Sequence, residues 1–327
     1  MRVGLCFDGF YSIQEMIELA QLADEIGMDS IWMSDHLCFR DSLTTAMALL
    51  ASTKKIKVAA APMSPYSRNP IITAMSIATM EEFAPGRVIA SPGTGNAAAL
   101  KEAGMESPHP LQTMREYVEI LRRYLRGDTV NFHGKMFQVN GAKMGFVVSA
   151  AIRMYITAVR SRMLQLGGEI GEGVLLSAGC APGYIQKCVG EIGAGAAKGG
   201  KNLRDVDVAG FVTAAVSDSA KEAIEANKQF LAYIFRNVHH AENIRLGGGK
   251  VDQEGLAAAV GKRDWQAAKK FISDEVVFAH SVAGRPSDCA MQLEAFTKGG
   301  LDLPIVLPTG TQEARKKVVR MVREIVG

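Results

Sequence analysis

A chain of 327 residues, 48% apolar and 22% charged, suits one large α/β barrel or two smaller domains, and it lacks the charge block of a disordered tail. Its formal net charge of +3 is small for this length and gives no reason to expect nucleic acid or a membrane surface as partner. The opening MRVGLCFDGF lacks both the charged and the apolar region of a secretory leader, and no apolar run approaches the roughly 18 residues that cross a bilayer. Five cysteines scattered without a CxxC pair fit a reducing cytosol better than a disulfide frame, and no metal site is expected from them.

Taken in chain order, strand-like apolar runs alternate with helical patterns, which predicts a parallel sheet. Strands are expected at VGLCF (3–7), SIWMS (30–34), IKVAAAPM (56–63), RVIASP (87–92), MYITAV (154–159), GVLLSA (173–178), VDVAGFVTAAV (206–216) and LPIVLP (303–308). Their near-continuous apolar content suits strands buried on both faces. Between them, Ser12 and Glu15 form a capping-box pattern ahead of a helix that Gly27 closes. Asn69-Pro70 reads as an N-cap followed by proline at the first helical position, and Leu111–Leu125 is a further amphipathic helix. Eight β/α units over this length predict a single (β/α)8 barrel, with an open doubly wound sheet as the alternative.

Two segments fall outside the repeat. DTVNFHGKMFQV (128–139) reads as a hairpin around His133-Gly134, and about 228–280 reads as a helical insertion between strands seven and eight. Within it, His239-His240 reads as a solvated helix end, because no carboxylate or cysteine stands at metal spacing.

In a barrel the active site forms at the C-terminal ends of the strands. Strand two ends in Ser34, Asp35 and His36, the one carboxylate–imidazole pair at such an end. Histidine exchanges protons near neutrality, while Asp35, on the opposite face of the strand, either supports it, caps a helix or meets a basic group. The bland reading makes both residues loop packing. SPGTGN (91–96) brings a tight glycine turn to the end of strand four; read alone, it is a structural turn with Asn96 as N-cap. Pro62, where a buried strand meets its loop, suggests a bulge with a cis Ala61–Pro62 bond. Cys6 at the end of strand one is by default a small buried hydrophobe.

In their order, "MRVGLCF…IELAQLADEIGMDSIWMSDH", "KVAAAPMSPYSRNPIITAMSIATMEEFAPGRV", "LRGDTVNFHGKMFQVNGAKMGF", "YITAVRSRMLQLGGEIGEGVLLSAG" and "VAGRPSDCAMQLEAFTKGGLDLPIVLP" resemble the luciferase-like superfamily. The resemblance is to its coenzyme F420 branch and especially to the F420-dependent methylenetetrahydromethanopterin reductases. It implies a barrel whose mouth holds a deazaflavin ring and passes hydride between that ring and a substrate carbon. His36 would transfer protons, with Ser34 and Asp35 beside the ring. Ala61, Pro62, Met63 and Ser64 would form the bulge behind it, and Gly93, Thr94 and Gly95 the loop near it. Val159, Arg160, Ser161 and Arg162 would receive the cofactor phosphate. The reductases carry a glutamate where this chain has Cys6 and an aspartate where it has Asn96, so those two catalytic positions depart from the pattern. The resemblance implies a cytosolic homodimer acting on a small molecule. An FMN-dependent monooxygenase and a non-catalytic flavin- or deazaflavin-binding protein are the rival readings.

Overall fold

A computed structural model of the protein describes residues 1–146 and 151–326. The chain begins with three regular units: β1 (Gly4–Phe7) and α1 (Ile13–Glu25), β2 (Ser30–Ser34) and α2 (Ser42–Ser52), β3 (Lys57–Met63) and α3 (Pro70–Phe83). After β4 (Val88–Pro92) come α4 (Ala97–Glu102), α5 (Pro110–Leu125) and an antiparallel ribbon of β5 (Val130–His133) and β6 (Gln138–Ala142). The repeat resumes with β7 (Arg153–Ala158) and α6 (Ser161–Ile170), then β8 (Gly173–Leu176) and α7 (Pro182–Lys198). β9 (Asp207–Val216) is followed by α8 (Ala220–Phe235), α9 (Ala241–Leu246), α10 (Gln253–Gly261), α11 (Trp265–Lys270) and α12 (Asp274–His280). The chain ends with β10 (Val282–Gly284), α13 (Pro286–Lys298), β11 (Leu303–Pro308) and α14 (Gln312–Val326).

The main sheet runs β10-β9-β11-β1-β2-β3-β4-β7-β8, and β8 pairs back onto β9, so eight parallel strands close into a barrel. All eight strands expected from the sequence take part. The short β10 was not expected: three residues carry no readable pattern. It pairs with Ala214–Val216 of β9, further along than the Asp207–Gly210 segment that β8 uses.

Every residue of β2 is buried, because one face lines the barrel interior and the other meets the helices. Cys6, Trp32, Tyr155, Leu175, Leu303 and Ile305 fill the interior, while Leu5, Phe7, Ile31 and Met33 join the core between sheet and helices. Trp32 and Tyr155 meet edge to face at 5.2 Å, so the barrel is a packed core rather than a pore. Helix starts follow their caps: Ser12 accepts the Glu15 amide at 3.2 Å, and Asn69 accepts the Ile71 amide at 2.9 Å ahead of Pro70.

The helices after β9 pack on the same end of the barrel. Buried Asn243 accepts the Ala181 amide at 2.9 Å and donates to the Gly179 carbonyl at 2.7 Å, fastening α9 to the loop after β8. Buried Asn227 on α8 donates to Val282 of β10 at 2.9 Å and accepts from Thr309, just past β11, at 2.7 Å. These bonds hold the helical run over the C-terminal ends of neighbouring strands, where the site lies.

Candidate active site at the barrel mouth

The ends of β1 to β4 are stitched into one rim. Cys6 Sγ lies 3.6 Å from Ser34 Oγ. The Asp35 amide donates to the Ala61 carbonyl at 3.2 Å, and the Gly93 amide donates to the Met63 carbonyl at 3.0 Å. Ser64 Oγ donates to the Thr94 carbonyl at 3.2 Å and accepts from the Tyr66 amide at 3.3 Å. The Ala61–Pro62 bond is cis, and the β3–β4 register shifts between Ala60 and Met63, so the bulge read from Pro62 is present. Only glycine fits beside it: a Cβ at Gly93 would come within 2.6 Å of Pro62 Cβ and 2.7 Å of Thr157 Cβ. Gly95 adopts φ +72° against Ser64.

Asp35 is held by Arg68, which donates from Nε to Oδ2 at 3.0 Å and from Nη2 to Oδ1 at 2.9 Å. The same guanidinium also reaches Asp41, the N-cap of α2. Two carboxylates and burial act on Arg68, and the pairing with Asp35, the largest cause, raises its pKa. Asp35 therefore meets a basic group, one of the alternatives of the sequence reading. Arg68 itself was not singled out; its position one residue ahead of the Asn69-Pro70 cap was the available signal.

His36, next along, is exposed at the rim, with its ring 6.5 Å from that of Phe10. The protein around it makes the imidazolium harder to form, and the neighbouring Asp35 charge opposes this; the net effect lowers its pKa. The neutral ring is then the resting form at neutral pH, able to accept or return a proton.

Neither Cys6 nor Asn96 carries a carboxyl. Burial pushes the Cys6 thiol up, the Ser34 hydrogen bond only partly opposing this, so it stays protonated. Asn96 caps α4, its Oδ1 accepting from Ala98 N at 2.9 Å and Ala99 N at 3.4 Å, the structural role its turn suggested. A further carboxyl at this end of the barrel is that of Asp8, 7% exposed just past β1, a residue the sequence reading does not nominate.

The phosphate-side candidates follow β7. A cavity of about 260 Å³ is lined by Val159, Arg160, Ser161, Tyr184, Lys187 and His239 and also by the carboxylates Glu191 and Glu242, the latter paired with Lys187. Arg160 N-caps α6 without a side-chain cap bond and the Met163 amide turns back to its carbonyl at 2.8 Å, so among the described residues the Ser161 and Arg162 amides are the ones left for an anion. Tyr184 fixes the Val159 carbonyl at 3.1 Å. Arg162 is exposed and its side chain does not line the cavity with the others. His239 lies closer to this site than a solvated helix end would: Arg160 Nη2 hydrogen-bonds its ring. Burial and the Arg160 charge lower its pKa.

A closed eight-stranded barrel with its polar side chains gathered at the C-terminal rim defines a class of enzyme fold, and comparison with known proteins narrows it. The luciferase-like monooxygenase family profile matches residues 5–303, and the chain belongs to that family. It is similar to the 5,10-methylenetetrahydromethanopterin reductase of Methanolobus tindarius, at 30% identity over 100% of both chains. It is also 28% identical to the F420-dependent glucose-6-phosphate dehydrogenase of Rhodococcus erythropolis, over 92% of this chain and 90% of that one. The solved coenzyme F420-dependent tetrahydromethanopterin reductase from Methanopyrus kandleri superposes with a TM-score of 0.91 at 26% identity, covering 100% of this chain and 99% of that one.

Proposed function

We propose that the protein is an F420-dependent oxidoreductase that moves hydride between the deazaflavin and a carbon of a small-molecule substrate. The observation that carries this reading is the end-to-end likeness, in sequence and fold, to the F420-dependent methylenetetrahydromethanopterin reductases. The rim fits the cofactor: an anion-accepting helix start beside Arg160 at one side, and at the other a bulge packed against side-chain-free Gly93. Ser34, the Ala61–Ser64 bulge and Gly93–Gly95 would hold the ring; Val159, Arg160, Ser161 and the backbone of Arg162 would hold the phosphate. When bound, F420 supplies a carbon that gives or takes hydride.

The chain's own groups would handle the protons. His36, neutral and open to solvent, is the proposed exchange group at the rim, with Asp35 and Arg68 fixing the turn that presents it. Cys6 and Asn96 stand where the resemblance places acids in the methanopterin reductases, so the proton roles of those two acids are not transferred to this chain. Cytosolic location and homodimer assembly are part of the proposal.

The test is absorbance-monitored turnover of F420 with methylenetetrahydromethanopterin, secondary alcohols and ketones. His36→Ala lowers turnover by about 10²–10⁴-fold with cofactor binding kept. Near-full activity of that variant would remove His36 from the role. Binding of F420 with no hydride exchange on any substrate would favour a carrier.

A further inference from the structure

We infer that Asp8 is a second proton-transfer residue of this site, handling the proton that reaches or leaves the substrate's oxygen or nitrogen as hydride moves at the adjoining carbon. The inference rests on the F420 reading above. Asp8 follows β1 at the C-terminal end of the barrel, where side chains meet substrate. Strand alternation puts it on the face of Cys6, which lines the interior, whereas Phe7 between them packs in the outer layer.

Its surroundings suit a proton carrier better than a structural carboxylate. Oδ1 accepts the Phe10 amide at 3.0 Å, a local turn that an amide side chain would serve equally well. Among the described residues no cation lies within ion-pair distance of it. Arg315, whose charge favours the ionised form, is bound to Glu15 at 2.7 Å. Cys6, Tyr11 and Glu15 are the other ionisable neighbours. Burial outweighs the Phe10 and Asp8 amides and Arg315, so the carboxyl keeps its proton to higher pH than an ordinary aspartic acid. Phe10 ties this buried acid to the exposed base, its amide on Asp8 and its ring 6.5 Å from that of His36.

In the reducing direction, the carbon of a substrate C=O or C=N bond would take hydride from reduced F420, whose oxidation also releases one proton to solvent. The π pair moves onto the heteroatom, and the heteroatom takes the proton from Asp8. The carboxylate regains a proton from solvent. In the oxidising direction the carboxylate accepts that proton.

Asp8→Asn is the informative variant, because its amide oxygen keeps the turn to Phe10 and its size while losing the acid. Carboxyl ¹³C NMR of aspartate-labelled apoprotein, compared with the variant, assigns the Asp8 resonance. It is expected to titrate above the ordinary value of about 3.9 and to shift when F420 is added. The variant is expected to melt with the wild type, to bind F420 equally, and to lose about 10²–10⁴-fold of turnover together with one limb of the pH profile. An Asp8 resonance titrating at or below 3.9 and indifferent to F420 overturns the assignment, as does Asp8→Asn with full turnover and an unchanged profile. A wild-type protein that does not retain F420 defeats the functional reading itself; retention by both proteins with unimpaired Asp8→Asn turnover defeats only the role of Asp8.

Discussion

Arg68 holds the Asp35 carboxylate with two hydrogen bonds, at 3.0 and 2.9 Å, and so locks the loop after β3 to the end of β2. Parallel donation of this kind is the strong form of ion pairing. Asp35 is 10% and Arg68 23% exposed, which shields the pair from water. Removing one partner leaves a charge poorly solvated. Arg68 keeps Asp41, which softens the loss.

Asp35→Asn is expected to cost about 2–4 kcal/mol of unfolding free energy, less than the full penalty for breaking a wholly buried pair. Urea denaturation measures it. A midpoint within error of the wild type would show that the pair is dispensable and that Asp35 is free for another role.

Asn96 gives a second prediction, because its oxygen caps α4. Asn96→Ala is expected to cost about 1 kcal/mol, and Asn96→Asp to preserve stability, since a carboxylate caps as well and favours the helix N-terminus. Equal melting temperatures for the alanine variant and the wild type would contradict the capping assignment.

Much of this was legible in the sequence, for physical reasons. Strands buried on both faces read as apolar runs, so eight β/α units were legible from pattern, and it is the pairing of β8 back onto β9 that decides for the closed barrel over an open doubly wound sheet. Ser12, Asn69 and Pro62 announced a cap, a cap and a bulge through chemistry that acts within a few residues. What was not legible depends on distant chain. Asp35 meets Arg68 across 33 positions, and Arg160 meets His239 across 79, neither separation leaving any periodic mark. The burial of Asp8 follows from which face of β1 turns inward, and β10 is too short to carry a pattern. The start of α8 at Ala220, ahead of the Lys228 expected for the insertion, reflects a helix that continues the β/α repeat before the extra helices begin.

The helical segment after β9 carries a pH dependence. His280 is fully buried against Phe235, with Nδ1 2.8 Å from the Gly179 carbonyl and Nε2 without a partner among the described residues. Burial, opposed by the Gly179 bond, lowers its pKa to about 4. An unfolded chain takes that proton near 6.5, so between these values the unfolded state holds more protons. Stability is therefore full above about pH 6.5 and falls as the pH drops towards 4, by at most about 1.4 kcal/mol per pH unit from this residue. Half-buried His240, lowered to about 4 chiefly by burial, adds a smaller part. Unfolding free energies at a series of pH values check this, and His280→Gln should flatten the slope; an unchanged slope would contradict it.

Cofactor retention tests the central claim most directly. Purified protein is mixed separately with oxidised F420 and with FMN, passed through a desalting column and read by absorbance and fluorescence. F420 is expected to travel with the protein, and Arg160→Ala to weaken its retention. Retention of FMN alone would contradict the account.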